Sequence, residues 1–352
     1  MRSLKLFSLA FFSYLLLMIC SHLILKEYSA SLNMLPLSLA VILIFYCCFV
    51  AGYLRPLYLP TKAVWIAIFL LAVYFARYVV FAPVAVVFLY LLLKYEPEFF
   101  KEFSWFVFLL GVGIVGSTYL FVGVPFFKYP IRFELTEVLT LSAYLFLTAI
   151  AFEQRERIRS LYFIVSSILL FMSTFRSLLI LVFLAYATPY YLSGKIRMRE
   201  ICLGILVGIA VLILSGNLES LLIRVGFTFL IFENLVKISL PFGFYHGSLL
   251  LSYSPGRKIA FMFTLDRNIY SSFIFGQAVA DFGIFGMVEA YLLGTILKRS
   301  ENDLSSLTVV LSLLIYLIEV GIDAFVLAIM LFFGTIYVEK IGKHGPPFNM
   351  RS

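Results

Sequence analysis

The sequence predicts an all-α polytopic membrane protein, and three observations carry that prediction. Of its 352 residues, 63% are hydrophobic and 13% are charged, which is more apolar surface than soluble domains of ordinary size can bury. Mean hydropathy reaches +1.05. About twelve apolar runs of spanning or near-spanning length follow one another, separated by short clusters of Lys and Arg. A bilayer offers no water to backbone N–H and C=O groups, so such runs must be helices. The net charge of +8 marks loops between membrane segments and excludes a nucleic-acid patch, because the cations sit between apolar runs.

Taken in order, the runs cover residues 4–25, 34–54, 63–76, 78–93, 104–123, 134–152, 160–174, 176–192, 200–215, 272–297, 304–320 and 322–338. They predict a single integral membrane domain over 1–352. Transmembrane helices 1–9 fall within 4–215, an extracytoplasmic segment covers 216–271, helices 10–12 fall within 272–338, and a cytoplasmic tail covers 339–352. The start, Met1-Arg-Ser-Leu-Lys5, resembles a signal peptide, but its apolar core is too long and Tyr28-Ser-Ala30 is a poor cleavage site, so it reads as the first spanning helix. Cys20, Cys47, Cys48 and Cys202 all fall inside apolar runs and imply neither a disulfide framework nor a zinc site.

Two adjacent pairs of runs are interrupted only by an arginine, Arg77 and Arg176. Splitting both pairs puts the larger share of the Lys and Arg residues, including Arg155, Arg157, Arg159, Lys195, Arg197 and Arg199, on one side, as cytoplasmic loops require, with fusing both and a compensating change elsewhere as the alternative. Both termini are then cytoplasmic, and both arginines lie at outer helix ends. An arginine at membrane depth needs water or an anion. Arg77 reads first as a snorkelling side chain, Arg176 first as a binding one.

Residues 217–286 form the long interval that does not read as bilayer-spanning. Within it, 219–239 has helical periodicity with two polar edges, one through Arg224 and Thr228 and one through Glu219, Glu233 and Lys237. Its charges favour an amphipathic helix at the outer interface or packed under a site, with a thirteenth span as the alternative. The Gly, Pro and Ser content of 241–248 and 252–258 reads as loop.

Arg176, Arg224, Arg257, Lys258 and Arg267 place positive charge on the expected outer face, and a guanidinium fork suits phosphate oxygens. Beside a bilayer, that favours a lipid diphosphate, although lipid headgroups attract the same residues. His246, Asp266, Asp281 and Glu233 are the groups there able to accept a proton. A lone loop histidine is more often structural, and Asp281, two turns into a predicted span, equally suits a helix contact. Glu289, Glu319 and Asp323 lie in or between spans and suit a proton relay, which keeps a transporter open. No metal-binding carboxylate pair, Gly-rich phosphate loop or His-Glu-x-x-His motif occurs.

The run Phe171-Met-Ser-Thr-Phe-Arg176-Ser-Leu, followed by Lys195-Ile-Arg-Met-Arg199, Arg224-Val-Gly-Phe-Thr-Phe, Pro255-Gly-Arg257 and Phe275-Gly-Gln-Ala-Val-Ala-Asp-Phe-Gly-Ile-Phe-Gly286, resembles the Wzy-type oligosaccharide repeat unit polymerases in motif and order, over about 160–297. The resemblance implies a glycosyltransferase on the outer side of the cytoplasmic membrane, which moves a growing glycan from one polyprenyl (undecaprenyl or dolichyl) diphosphate carrier onto a second carrier-linked repeat unit. No cofactor is expected and, for want of a metal-binding carboxylate pair, no metal; membrane lipid is the surroundings and a chain-length regulator a further candidate partner. Arg176, Arg224 and Arg257 would hold the diphosphate; Arg267, Lys258 and Gln277 would contact the glycan; Asp281 or His246 would take the acceptor proton. Related O-antigen ligases carry a histidine about eleven residues before the Gly-x-x-Gly turn, where this chain has Ser272, a departure that disfavours the single-transfer ligase. A flippase or other transporter of lipid-linked glycans is the alternative from another class.

Overall fold

The computed structural model describes residues 1–24, 35–128, 131, 134–197, 200, 218–252, 255–263 and 271–342. Among them the protein is helical throughout. In chain order the helices are α1 (Arg2–Ile24), α2 (Leu35–Leu54), α3 (Thr61–Phe75), α4 (Ala82–Tyr95), the single turn α5 (Phe99–Glu102), α6 (Ser104–Phe121), α7 (Thr136–Phe152), α8 (Glu156–Met172) and α9 (Arg176–Leu192). After them come α10 (Leu218–Ser239), α11 (Pro255–Phe263), α12 (Gly276–Phe282), α13 (Met287–Ser300), α14 (Leu304–Val320), α15 (Ala324–Leu331) and α16 (Val338–Gly342). Five helical stretches among the described residues are long and apolar enough to cross a membrane: Arg2–Leu23, Pro36–Leu54, Ser104–Phe121, Gly276–Ser300 and Ala324–Gly342. Shorter apolar helices, α3, α4, α7, α9 and α14, accompany them. The protein is a polytopic all-α membrane protein. Large apolar side chains exposed along these helices, among them Leu16, Leu43, Ile66, Leu70, Phe88 and Leu109, supply the surface that lipid covers.

Both arginine-interrupted runs are helix pairs. Arg77 lies in the turn between α3 and α4, where it donates to the Tyr74 hydroxyl and rests over the rings of Tyr74 and Tyr78 at 4.1 and 4.8 Å, a cation–π arrangement. Pro83 falls in the first turn of α4, where a missing N–H costs nothing. Between α8 and α9 the chain turns at Thr174, whose φ is 63°. The Ser173 hydroxyl donates to the Leu170 carbonyl and accepts from the Phe175 N–H, and Arg176 then begins α9. The run at 200–215 lies outside the described residues apart from Glu200.

The run expected at 272–297 is not one uninterrupted α-helix. It breaks into α12, a 3-10 turn over Gly283–Gly286, and α13. The cause is a backbone-to-backbone contact with the loop after α10. A β-carbon on Gly283 (φ 58°) would lie 2.1 Å from the Pro241 carbonyl oxygen, and one on Gly243 (φ 86°) would lie 2.2 Å from that of Asp281. Two glycines facing each other allow this approach, and the Ile284 N–H then donates to Pro241 O at 3.0 Å.

The chain forms two compact units, each made of separated segments. One comprises Met1–Tyr58, Gly194–Arg299 and Leu317–Ile329. Its core is aromatic: Phe7 meets Phe49 at 4.4 Å, Phe11 stacks on Tyr46 at 4.9 Å, and Phe273 and Phe275 close on Phe11 and Phe45. Helix α10 packs along α1, α2 and α12 in this unit, burying Val225, Phe229, Phe232, Leu235 and Val236. The other unit comprises Leu59–Ser193, Ser300–Tyr316 and Met330–Ser352. There α6 to α9 pack together, Phe108 stacks on Tyr162 at 4.1 Å, and Phe100, Phe152, Phe333 and Tyr337 form a second aromatic core. Glu153, at the end of α7, accepts from the Ser104 hydroxyl at 2.9 Å and from the Arg155 N–H and Nε at 2.9 and 3.2 Å.

Candidate active site

Within the first unit, polar groups gather at two places, one built by the loop that follows α10 and one on α10 itself. The first is a clamp. The loop over residues 240–251 folds back on α12, with the N–H groups of Phe244 and Tyr245 both donating to the Ala280 carbonyl at 2.8 and 3.0 Å. Asp281, on the last turn of α12, receives the Leu249 N–H on Oδ1 at 2.9 Å, the Leu250 N–H on Oδ2 at 2.7 Å, and the Gln277 amide on Oδ2 at 2.7 Å. Its side chain is 0% exposed. An apolar bed of Ile231, Leu235, Leu249, Ile259 and Ala280 lies beneath, and Lys258 ties α11 to the same loop by donating to the carbonyl and hydroxyl oxygens of Ser248 at 3.1 and 2.8 Å. Burial, then the charge of Asp281, pushes the Tyr245 phenol above its usual range. With this many donors satisfied, the Asp281 carboxylate fixes a loop, as a buried polar group must.

The second place is a half-exposed ion pair. Arg224 on α10 directs Nε at Glu319 Oε1, on the last turn of α14, at 2.6 Å; the side chains are 46% and 22% exposed. The buried hydroxyl of Tyr14 on α1 lies near Thr228 at the same corner. The chain that enters α12 frames the same corner: Ile274 N–H donates to the Ile318 carbonyl at 3.2 Å, and buried Ser272 packs so closely on Gly321 that a β-carbon there would come within 2.3 Å of its hydroxyl oxygen. Through the Ala324 N–H, which donates to the Leu250 carbonyl at 3.1 Å, the clamped loop is joined to the turn just beyond Glu319.

The residues singled out in the sequence separate accordingly. Arg224 stands in the ion pair. Arg257 is exposed on the first turn of α11, and Lys258 one residue later is held by Ser248. His246 is exposed on the clamped loop at φ 48°. Gln277 and Asp281, both 0% exposed, hold each other inside the clamp, so the glycan contact expected of one and the proton transfer expected of the other would each require the clamp to open. Arg176 belongs to the other unit, exposed at the first position of α9. Arg267 and Asp266 lie outside the described residues. The three carboxyl groups expected to suit a relay have separate contacts: Glu289 beside Gln277 and Asp281, Glu319 on Arg224, and Asp323 capping α15 through the Val326 N–H at 2.8 Å.

Sequence reading missed Tyr14, because a tyrosine in an apolar helix carries no signal, and His22, which lies 3.7 Å from Glu233 with both side chains buried. Glu319 was legible only as a charge near the end of a span. Among the described residues no three His, Cys, Asp or Glu side chains gather closely enough to hold a metal ion.

A family model described as "Putative O-antigen polymerase" matches residues 6–333. The match spans nearly the whole chain, and the protein belongs to this family, whose members are membrane polymerases of glycan repeat units supplied on lipid. No curated protein and no solved structure gives a match.

Proposed function

We propose that this member of the O-antigen polymerase family joins oligosaccharide repeat units carried on polyprenyl (undecaprenyl or dolichyl) diphosphate, at the outer face of the cytoplasmic membrane, by metal-independent inverting transfer. The observation that carries this reading is the half-exposed guanidinium of Arg224 in a membrane unit. Its Nε lies 2.6 Å from Glu319 Oε1, and the guanidinium carries further N–H donors. A planar pair of donors beside lipid suits a diphosphate, and fixed cations stabilise the charge that develops on a leaving phosphate.

In this reading the acceptor hydroxyl attacks the sugar carbon bound to diphosphate from the opposite face. The new glycosidic bond forms as the C–O bond to diphosphate breaks, and the electron pair departs on the carrier. Arg224 and Arg257 bind that diphosphate. Arg176 is assigned to the same ligand class on local grounds. It sits at the positive end of α9, where a helix start with unpaired N–H groups favours an anion and a lone cation is unfavourable. Lys258 and Arg267 are assigned to the glycan. Gln277 and Asp281 hold the loop that carries His246.

Purified protein given a short lipid-linked oligosaccharide should produce a ladder of products, and the ladder should persist in EDTA. Arg176→Ala should leave single units unextended while the protein still folds. Loss of the ladder in EDTA with recovery in magnesium would overturn metal independence, and full laddering by Arg176→Ala would overturn the role of that arginine.

A further inference from the structure

We infer that Glu319 is the catalytic proton acceptor of this site, paired with Arg224 so that one guanidinium serves both the base and the leaving group. The inference rests on the polymerase reading above and supplies the base it lacks.

The argument is one of availability. A base must touch the acceptor hydroxyl, so it needs exposure and an open lone pair. Asp281 is fully buried and accepts three hydrogen bonds. Glu233 is buried against His22, Glu289 is buried beside Asp281, and Asp323 is engaged at the start of α15. Glu319 is part-exposed and in contact with a candidate phosphate-binding arginine, and that contact uses Oε1.

The geometry also suits the chemistry. Arg224 meets Glu319 through Nε, and a guanidinium carries five N–H donors, so those not facing the carboxylate suit a phosphate. With both anions on one cation, the acceptor oxygen and the leaving oxygen are held on the two sides of the reacting carbon's neighbourhood by a single rigid plane. The proton of the acceptor hydroxyl passes to Glu319 as the glycosidic bond forms, and it leaves to water after the lipid diphosphate departs. No metal ion or redox partner enters the balance.

The test is steady-state kinetics on full-length protein with a short lipid-linked oligosaccharide. Glu319→Gln keeps an oxygen for Arg224 Nε and removes the basicity. It should lower kcat by about 10²- to 10⁴-fold, the range for loss of a general base, with KM for the lipid-linked substrate unchanged within about threefold and the thermal midpoint retained. A kcat within about tenfold of wild type, or a raised KM with unchanged kcat, would overturn the inference and leave Glu319 as a positioning residue for Arg224. Glu319→Asp and Glu319→Asn give a second comparison if the glutamine variant fails to fold. They match in length and differ in basicity, so the aspartate should be at least about tenfold faster, and equal rates would overturn the assignment. Wild-type protein that makes no ladder overturns the polymerase reading itself, and the inference with it.

Discussion

Asp281 and Glu319 are both carboxylates of the same unit, yet their surroundings are opposite. Asp281 is sealed, with three donors on two oxygens, while Glu319 is part-exposed with a single guanidinium contact. A saturated buried charge uses its hydrogen-bonding capacity to hold backbone in place. A half-exposed pair has little invested in the fold, since such contacts contribute about 0.2–1 kcal/mol. The contrast separates residues that keep the site in shape from those able to change partners during a reaction.

The most damaging way to break that contrast is Asp281→Ala. It leaves two backbone N–H groups and an amide without an acceptor, at about 1–3 kcal/mol for each buried group, a large share of an ordinary stability of roughly 5–15 kcal/mol. We expect loss of monodisperse protein in detergent, with Asp281→Asn intermediate. Normal thermal unfolding together with lost turnover would move Asp281 from the scaffold into the chemistry. Next in size is Arg224→Ala, expected to cost about 10²- to 10³-fold in turnover, as for removal of one charge-stabilising donor, while the thermal midpoint barely moves. A large fall in the midpoint would show the pair to be structural.

A smaller effect sharpens the comparison from the other unit. Burial alone would push the Glu153 carboxyl up, but hydrogen bonds from Arg155 and Ser104, with the Arg155 charge, outweigh it and hold the group below its ordinary range near 4.5. The stability this supplies is full above the unfolded value and is lost as pH falls through the lower folded value. Thermal midpoints measured down an acid series should decline more in wild type than in Glu153→Gln; parallel declines would remove Glu153 as the cause. Smallest of all is His246→Gly. The residue is exposed at φ 48°, where glycine relieves backbone strain of about 1–2 kcal/mol, offset by the entropy glycine adds to the unfolded chain. Stability and turnover should both stay near wild type, and a tenfold fall in turnover would bring the imidazole into the reaction in place of Glu319.

Much of the fold was legible along the chain. Runs of apolar length mark spans because only helices satisfy backbone in lipid, and Arg77 and Arg176 mark turns because a charge cannot remain at depth without a partner. The break at Gly283 was less legible. Its glycines are visible, but the need for them arises from the Pro241–Gly243 backbone, forty residues earlier in the chain. The candidate site divides in the same way: Arg224 stood out as a cation on a polar edge of its helix, whereas its pairing with Glu319 came only through tertiary contact.

What the sequence by itself determined is therefore the class of molecule, the helix pairs that turn at Arg77 and Arg176, and an inventory of arginines suited to phosphate. These follow from local composition and the cost of charge in a bilayer. Only the tertiary structure decided which carboxylate is structural and which is available, because that depends on how many donors reach it and how much of it water can touch. Both quantities are set by residues distant in the chain: Leu249 and Leu250 for Asp281, and Arg224 for Glu319.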